Sequence, residues 1–155
     1  MSLERDLQAE QVGQLDLSAY TAAAPSARVS EVLEQMRHDG CGCVLVVEEG
    51  RLVGIFTERD VLRKIVGVPE NWERPIHEFM TPRPDTVGPN DRVDAAMQRM
   101  NRGHYRNVPV VDAAGGVVGN LTHYAILQFF SDRFQQEIYN LPPEPDQVPK
   151  APEGA

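Results

Sequence analysis

The 155-residue chain has little cysteine, few aromatic residues and no long apolar run. Its two cysteines, Cys41 and Cys43, are too close for an easy disulfide bridge and too few for a disulfide framework, which favours reduced thiols. No apolar run approaches the roughly 20 residues that a membrane-spanning helix needs. The N-terminus MSLERDLQAE lacks the basic start and apolar stretch of a secretory signal. We therefore expect a cytoplasmic protein that does not interact with a membrane.

Basic charge is also scarce. The chain has 15 Lys and Arg against 23 Asp and Glu, a formal net charge of −8. Nucleic acid and anionic lipid surfaces do not attract such a chain, so we expect neither as a partner. The length suits one compact domain or two small modules packed together.

The most informative feature that is present is an internal repeat. VGIFTERDVL, at 53–62, matches VGNLTHYAIL, at 118–127, with an offset of 65 residues. Upstream, VSEVLEQM matches VDAAMQRM and CVLVVE matches NVPVVD, both with an offset of 64. The offset changes inside a turn, where DAAGGV replaces the shorter EEGR. The chain therefore holds two copies of one unit.

Each copy carries the same order of secondary-structure signals. ARVSEVLEQMRHDG and DRVDAAMQRMNRG have apolar residues at helical spacing and end at Gly40 and Gly103. A β-hairpin pattern follows each of them, a second helix begins at TERDVLRKIV or THYAILQFF, and the extended pieces AYTAAAP and PDTVGP come first. The predicted unit is strand, helix, strand, strand, helix. This α+β unit leaves one sheet face free to pack on the other copy.

Composition also divides the chain. We expect the first copy at 12–68, a proline-containing linker at 69–82, the second copy at 83–140 with an extended C-terminal helix, and a disordered tail at 141–155. The extension carries an apolar stripe, which favours either an oligomer contact or packing back on its own copy. The stripe consists of Ile126, Phe129, Phe130, Phe134 and Ile138.

Together these motifs resemble the CBS domain family, as a stand-alone tandem pair or Bateman module. The resemblance rests on CVLVVEEGRLVGIFTERDVLR in the first copy and FMTPRPDTVGPNDRV with NVPVVDAAGGVVGNLT in the second. It covers about residues 12 to 130. It implies that the two copies pack sheet to sheet with pseudo-twofold symmetry and form two clefts, in which adenosine-containing ligands bind. It also implies a homodimer.

The resemblance further implies which residues contact a nucleotide. Asp60 accepts hydrogen bonds from the ribose hydroxyls, with Thr57 facing the same ligand, a role that suits a carboxylate with two acceptor oxygens. Ile55 lies against the adenine, the backbone of Cys43 and Val44 reads its edge, and Ala22 borders it. Arg106 and Asn107 of the second copy correspond to positions that bind phosphate.

A purely structural interpretation of Thr57 and Asp60 remains open, because Thr-x-x-Asp is close to a helix capping box. In the second copy the acid is replaced by Ala125, which accepts no hydrogen bond from a ribose. Loss of a charged hydrogen-bond partner costs about 1.5 to 3 kcal/mol. We therefore predict one working cleft, at Asp60, and one degenerate cleft.

The leading hypothesis is a regulatory module that senses AMP, ADP or ATP and alters the packing of a dimer or of a regulated protein partner. The alternatives are a protein–protein adaptor with vestigial clefts and a sensor of S-adenosylmethionine. We expect no enzymatic activity and no required cofactor, because no catalytic set of residues is found. No metal site is expected either, since His38, Cys41 and Cys43 lack a fourth ligand at a helpful spacing.

Overall fold

A computed structural model describes residues 3–139. The elements follow one another in an order that repeats after the short α1. They are α1 (Leu3–Ala9), β1 (Thr21–Ala23), α2 (Val29–Asp39), β2 (Cys43–Glu48), β3 (Arg51–Thr57), α3 (Glu58–Asp60), β4 (Thr81–Pro82), α4 (Val93–Gly103), β5 (Asn107–Val111), β6 (Val117–Thr122) and α5 (His123–Tyr139). Short 3-10 turns lie at Val12–Gln14, Pro69–Asn71 and Ile76–Glu78. The predicted disordered tail, 141–155, lies outside the described residues.

The first helix of each copy forms as its apolar spacing predicts. In α2, Val29, Val32 and Met36 are buried, and Gly40 ends the helix with a φ of 66°, a left-handed conformation that glycine adopts without a Cβ penalty. Helix α4 differs at its end. Gly103 is still helical there, and His104 takes the left-handed conformation with a φ of 55°.

The sheet of the first copy has four strands in the order β1-β2-β3-β4, one more than predicted. β1 pairs with β2 in parallel, and β2 with β3 and β3 with β4 pair antiparallel. The additional strand, β4, comes from the segment predicted as linker. The linker therefore supplies backbone partners to the free edge of β3, where Thr81 lies opposite Ile55.

The second copy has the β5-β6 hairpin, but its predicted first strand is reduced to one parallel bridge between Val87 and Val110. The second helix of the first copy is also shorter than predicted. It starts after Thr57 as predicted, but after the α-helical turn of α3 it continues as a π-helical segment, Val61–Ile65. The backbone N–H of Val66 donates to the Val61 carbonyl at 2.9 Å, which closes this segment.

The segment before β1 packs on the second copy, and the segment before β4 packs on the first copy. Val12 and Leu17 are buried in the core of the second copy, and Ile76 and Phe79 are buried in the core of the first. Backbone hydrogen bonds hold both segments in place: Val93 N–H donates to the Glu10 carbonyl, and Ile76 N–H donates to the Ala27 carbonyl. The two copies are therefore interlocked rather than joined by a free linker.

The sheets also meet directly, in the arrangement that the resemblance implies. Cys43, Leu45 and Ile55 form a buried cluster against which Val117 of the second copy packs. At the hairpin turns, Arg51 bridges to Gly116, and Leu52 N–H donates to the Gly115 carbonyl at 3.2 Å. These contacts place the hairpin face that points away from its own helices against the other copy.

Candidate functional site

Four of the predicted ligand residues lie on one face of the first sheet. Cys43 is directly opposite Thr57, and Leu45 lies opposite both Ile55 and Ala22. Because side chains directly opposite each other share a face, and alternate residues of a strand do so as well, Ala22, Cys43, Ile55 and Thr57 face the second copy together. With Asp60, they form what we call the Asp60 site.

Val44 contributes to this site differently. Its side chain is fully buried in the other cluster, between the sheet and the helices, as the alternation along β2 requires. Only its backbone is available at the Asp60 site. The sequence-based expectation for Val44 also concerned only its backbone, which was expected to read the edge of a base together with the backbone of Cys43, and that role stays a prediction.

Asp60 has a mostly buried side chain with 13% of its surface exposed. Its Oδ2 accepts a hydrogen bond from the Thr57 backbone N–H at 3.0 Å, and the two residues form a capping box at the start of α3. The structural role that the sequence left open is therefore present. A carboxylate offers about four acceptor positions, so the cap leaves acceptor capacity for a ligand.

Lys64 is a further residue at this site, one that the sequence analysis missed. Its Nζ lies 3.1 Å from Asp60 Oδ1, and it also donates a hydrogen bond to the Phe79 carbonyl at 2.7 Å. The signal in the sequence was the spacing, since an acid and a lysine four residues apart face each other on a helix.

Cys43 is 1% exposed and lies beside this carboxylate. The pKa of its thiol is raised to about 12, chiefly by burial and to a lesser extent by the neighbouring Cys41 and Asp60. The thiol is therefore neutral at physiological pH. It fills the floor of the site as a small apolar group rather than as a nucleophile.

The second copy approaches the Asp60 site through the loop that follows α4. Arg59 Nη2 donates to the His104 carbonyl at 3.4 Å, which joins the start of α3 to that loop. Arg106 lies two residues further along and is exposed, and its carbonyl accepts a hydrogen bond from His123 N–H at 3.2 Å. The predicted phosphate-binding arginine is thus on the loop that meets α3.

Asn107, the other predicted phosphate contact, is turned toward its own copy. Its Oδ1 accepts a hydrogen bond from Asn120 Nδ2 at 3.1 Å, and the same amide donates to the Ala19 carbonyl at 3.0 Å. Asn120 occupies the position that corresponds to Ile55 and is fully buried. Within the described part of the chain, its Oδ1 has no hydrogen-bond partner.

The equivalent site in the second copy therefore differs from the Asp60 site in three ways. Thr122 still caps its helix, because its Oγ1 accepts a hydrogen bond from Ala125 N–H at 3.1 Å. Ala125 offers no carboxylate, Asn107 replaces Cys43, and a tethered polar Asn120 replaces the apolar Ile55. The second site keeps the cap and lacks both the carboxylate and the apolar side chain of the Asp60 site.

Two cavities lie outside the Asp60 site. One, of about 550 Å³, is lined by residues of α2, of the loop after it, of α3 and of the π-helical segment, including Met36, Cys41 and Leu62. The other, of about 500 Å³, lies beside α4 and is lined by Asp85, Arg99 and others. Neither cavity is lined by Asp60.

Across residues 3–139, no three His, Cys, Asp or Glu side chains are grouped closely enough to hold a metal ion. Over the same range, no helix is both long enough and apolar enough to cross a membrane.

A sequence model of the CBS domain family matches this chain twice, at residues 12–67 and 76–132. Among curated proteins, the meiotically up-regulated gene 70 protein of Schizosaccharomyces pombe is 34% identical over 115 residues. That alignment covers 72% of this chain but only 16% of the yeast protein. The chain is thus similar to one part of a much longer relative.

Two solved structures that were determined with ligands are similar in fold. The CBS domain pair of protein MJ0100, in complex with 5-methylthioadenosine and S-adenosyl-L-methionine, is 27% identical with a TM-score of 0.67, covering 78% of this chain and 99% of that one. The cytosolic domain of the Mg²⁺ channel MgtE, in complex with ATP, is 25% identical with a TM-score of 0.67. The latter match covers 77% of this chain and 48% of the channel domain.

Proposed function

Because the chain belongs to the CBS domain family, we propose that it is a regulatory module that binds an adenine nucleotide of the AMP, ADP or ATP class at the Asp60 site. The observation that carries the proposal is the Asp60 carboxylate, mostly buried at a helix start and on the side where the second copy approaches. The two structural neighbours support an adenosine-containing ligand, and the one in complex with ATP supports a nucleotide.

The ribose is the part of the ligand for which the site has the most specific chemistry. Asp60 Oδ2 already accepts one backbone N–H and Oδ1 faces Lys64, which leaves each oxygen with a further acceptor position. Two adjacent hydroxyls of a ribose fit these positions. Hydrogen bonds to an ionised acceptor are about twice as strong as those between neutral groups.

Under this proposal, the base and the phosphate contact different residues of the site. Ile55 offers an apolar surface for adenine, and the β2 backbone at Cys43 and Val44 offers hydrogen-bonding groups to its edge. Arg106, on the loop that meets α3, is the anion-binding group, because its guanidinium is permanently charged and fork-shaped. Asn107 is a poorer candidate, since its Oδ1 is already bound to Asn120.

We propose one nucleotide per chain. At the second site, Ala125 offers no acceptor, and Asn120 would have to exchange its contacts with Ala19 and Asn107 for contacts with a base. A buried polar group that loses its hydrogen-bond partners costs about 1 to 3 kcal/mol. Nucleotide binding at the second site is therefore disfavoured by two separate effects, the missing acceptor and the hydrogen bonds that Asn120 would lose.

The proposed activity is binding, without catalysis and without a required cofactor. A nucleotide would act by favouring one arrangement of a homodimer, or of a complex with a regulated protein partner, over another. A ligand shifts such an equilibrium only by the difference between its affinities for the two arrangements.

The test is titration calorimetry with AMP, ADP, ATP and S-adenosylmethionine. We expect one nucleotide to bind per wild-type chain, and Asp60→Ala to weaken binding about 10- to 100-fold, the equivalent of about 1.5 to 3 kcal/mol. If Asp60→Ala binds every ligand as tightly as the wild type, the proposed ribose contact does not exist.

The chain offers a matched control, Asp91→Ala. Asp91 Oδ2 accepts a hydrogen bond from Gly88 N–H at 2.8 Å, three residues back, with the same spacing as Asp60 and Thr57. Asp91→Ala therefore removes a comparable turn contact in the second copy, just before α4. Its nucleotide affinity should equal that of the wild type, which separates the loss of a cap from the loss of a ligand contact.

A second candidate function is a protein–protein adaptor in which both sites are vestigial. The observation that favours it is that both Asp60 oxygens already have partners in the structure, Thr57 N–H and Lys64. In that case the same titrations give no heat with any of the four ligands, and added nucleotide leaves the melting temperature unchanged. Binding of S-adenosylmethionine alone would instead favour the third candidate, a sensor of that ligand.

A further inference from the structure

Lys64 is held at both ends by the segment that joins the two copies. Its side-chain Nζ donates to the Phe79 carbonyl at 2.7 Å, and its own carbonyl accepts a hydrogen bond from Asn71 Nδ2 at 2.8 Å. Both partners lie within the predicted linker, 69–82. The third contact of Lys64 is the ion pair with Asp60 Oδ1 at 3.1 Å.

The local backbone makes these contacts possible. Lys64 belongs to the π-helical segment Val61–Ile65, in which the chain is wound more widely than in an α-helix. Such segments are rare and are frequently found at functional sites. Here the π-helical segment follows Asp60 directly, and Lys64 spans from the carboxylate to the linker.

The linker in turn returns to the site. One residue separates Phe79 from β4, and β4 pairs with β3 so that Thr81 lies opposite Ile55, the proposed base contact. The contacts therefore run from the carboxylate through Lys64, Phe79 and β4 to Ile55 on β3, and Thr57 at the end of β3 closes the loop by donating to Asp60 Oδ2. One of its members, Phe79, is also buried in the core of the first copy.

We propose that Lys64 is a positioning residue that ties the Asp60 carboxylate to the linker between the two copies. The ammonium fixes the orientation of the carboxylate before a ligand arrives and compensates its charge when a ligand covers it, because an unpaired buried carboxylate is costly. Through its hydrogen bond to the Phe79 carbonyl, the same ammonium couples ligand binding at the Asp60 site to the position of the linker. This inference rests on the proposed function for its ligand, while the contact itself is testable without one.

The first experiment uses hydrogen exchange measured by mass spectrometry on the ligand-free protein. Four proteins are compared: wild type, Lys64→Met, Asp60→Asn and the double variant. In Lys64→Met we expect exchange in a peptide covering residues 76–83 to be about two- to fivefold faster, the range for a partly exposed ion pair. Asp60→Asn should accelerate the same peptide when Lys64 is present and should have no further effect when residue 64 is methionine.

A merely structural role for Lys64 predicts a different pattern. Loss of general stability would accelerate exchange throughout the chain, including a peptide covering β5 at residues 107–111. Equal acceleration of the 76–83 peptide by Asp60→Asn in both backgrounds, or no acceleration in Lys64→Met, would overturn the proposal. Arg63→Met is the matched control, since Arg63 is the exposed neighbour of Lys64 in the same segment and should change nothing.

The second experiment measures nucleotide affinity by calorimetry with AMP as the probe. Lys64→Met should bind AMP about two- to fivefold more weakly, while Lys64→Arg, which keeps the charge, should recover most of the affinity. An unchanged affinity in Lys64→Met would refute the positioning role. If the wild type binds no nucleotide at all, the proposed function fails, and the exchange experiment still decides whether Lys64 ties Asp60 to the linker.

Discussion

The Asp60 carboxylate has one structural role and one proposed ligand-binding role. It caps α3 by accepting a hydrogen bond from Thr57 N–H, and under our proposal it also accepts hydrogen bonds from a ribose. The two roles are compatible, because a carboxylate has acceptor positions to spare and the cap holds it in a defined orientation. Thr122, which caps its helix without an acid, indicates that the cap alone does not require Asp60.

The two cysteines should differ in reactivity. Cys43 is 1% exposed and its pKa is raised to about 12, whereas Cys41 is half-buried beside the 550 Å³ cavity. Because the thiolate is the reactive species, alkylation of the native protein with iodoacetamide at pH 8 should label Cys41 and spare Cys43. Peptide mass spectrometry measures the two sites separately. Equal labelling before denaturation would contradict the buried position of Cys43.

At the scale of the element, the strongly periodic segments were predicted best. α2 and α4 have apolar residues at regular helical spacing, and both hairpins consist of short β-branched runs on either side of a turn. The errors concern elements defined by tertiary contacts. β4 is two residues long and exists because β3 has a free edge, and the π-helical segment has no signal in apolar periodicity.

Equivalent glycines in the two hairpins test the interlocked packing. A Cβ on Gly119 would lie 2.4 Å from Leu17 Cβ and 2.7 Å from its carbonyl oxygen, whereas a Cβ on Gly54 would lie 2.3 Å from the sulfur of Met80. Backbone cannot move aside as a flexible methionine can. We expect Gly119→Ala to lower the free energy of unfolding by about 1 to 3 kcal/mol and Gly54→Ala to lower it by less.

Urea denaturation measures both free energies, with Val118→Ala as a control because Val118 is an exposed neighbour. A larger loss in Gly54→Ala than in Gly119→Ala would mean that the segment before β1 does not pack against β6.

At the scale of the whole molecule, the repeat predicted two copies that pack on each other. The acid at only one of two equivalent positions, Asp60 against Ala125, predicted that the two sites differ in ligand binding. The sequence could not predict that the segment before β1 packs on the second copy and the segment before β4 on the first. Val12 and Ile76 are apolar and would suit either core. Lys64 could have been found from its spacing to Asp60, but its contact with Phe79 depends on where the linker runs. Asn120 gave no signal, since one of the groups to which its amide nitrogen donates is the carbonyl of Ala19, which is distant in the sequence.

The proposed homodimer has a testable surface on α5. Ile126 and Phe130 of the predicted stripe pack on the second copy, while Leu127 and Phe134 are 59% and 60% exposed. The stripe thus packs back on its own copy in part and remains free in part. We expect sedimentation to give a dimer of the 17.3 kDa chain and the variant Leu127→Ser/Phe134→Ser to shift toward monomer.

Gln128→Ser, a polar exposed change on the same helix, should leave the dimer intact. A wild-type protein that is monomeric at all concentrations would remove the homodimer from the proposal without affecting the Asp60 site.

The central claim is that only one of two equivalent positions binds a nucleotide, and NMR of the ¹⁵N-labelled protein titrated with AMP tests it most directly. The backbone amides of Thr57 and Asp60 should shift progressively to saturation at one ligand per chain, while those of Thr122 and Ala125 stay in place. Saturable shifts at Ala125 without shifts at Asp60, or none at either position at millimolar AMP, would contradict the account.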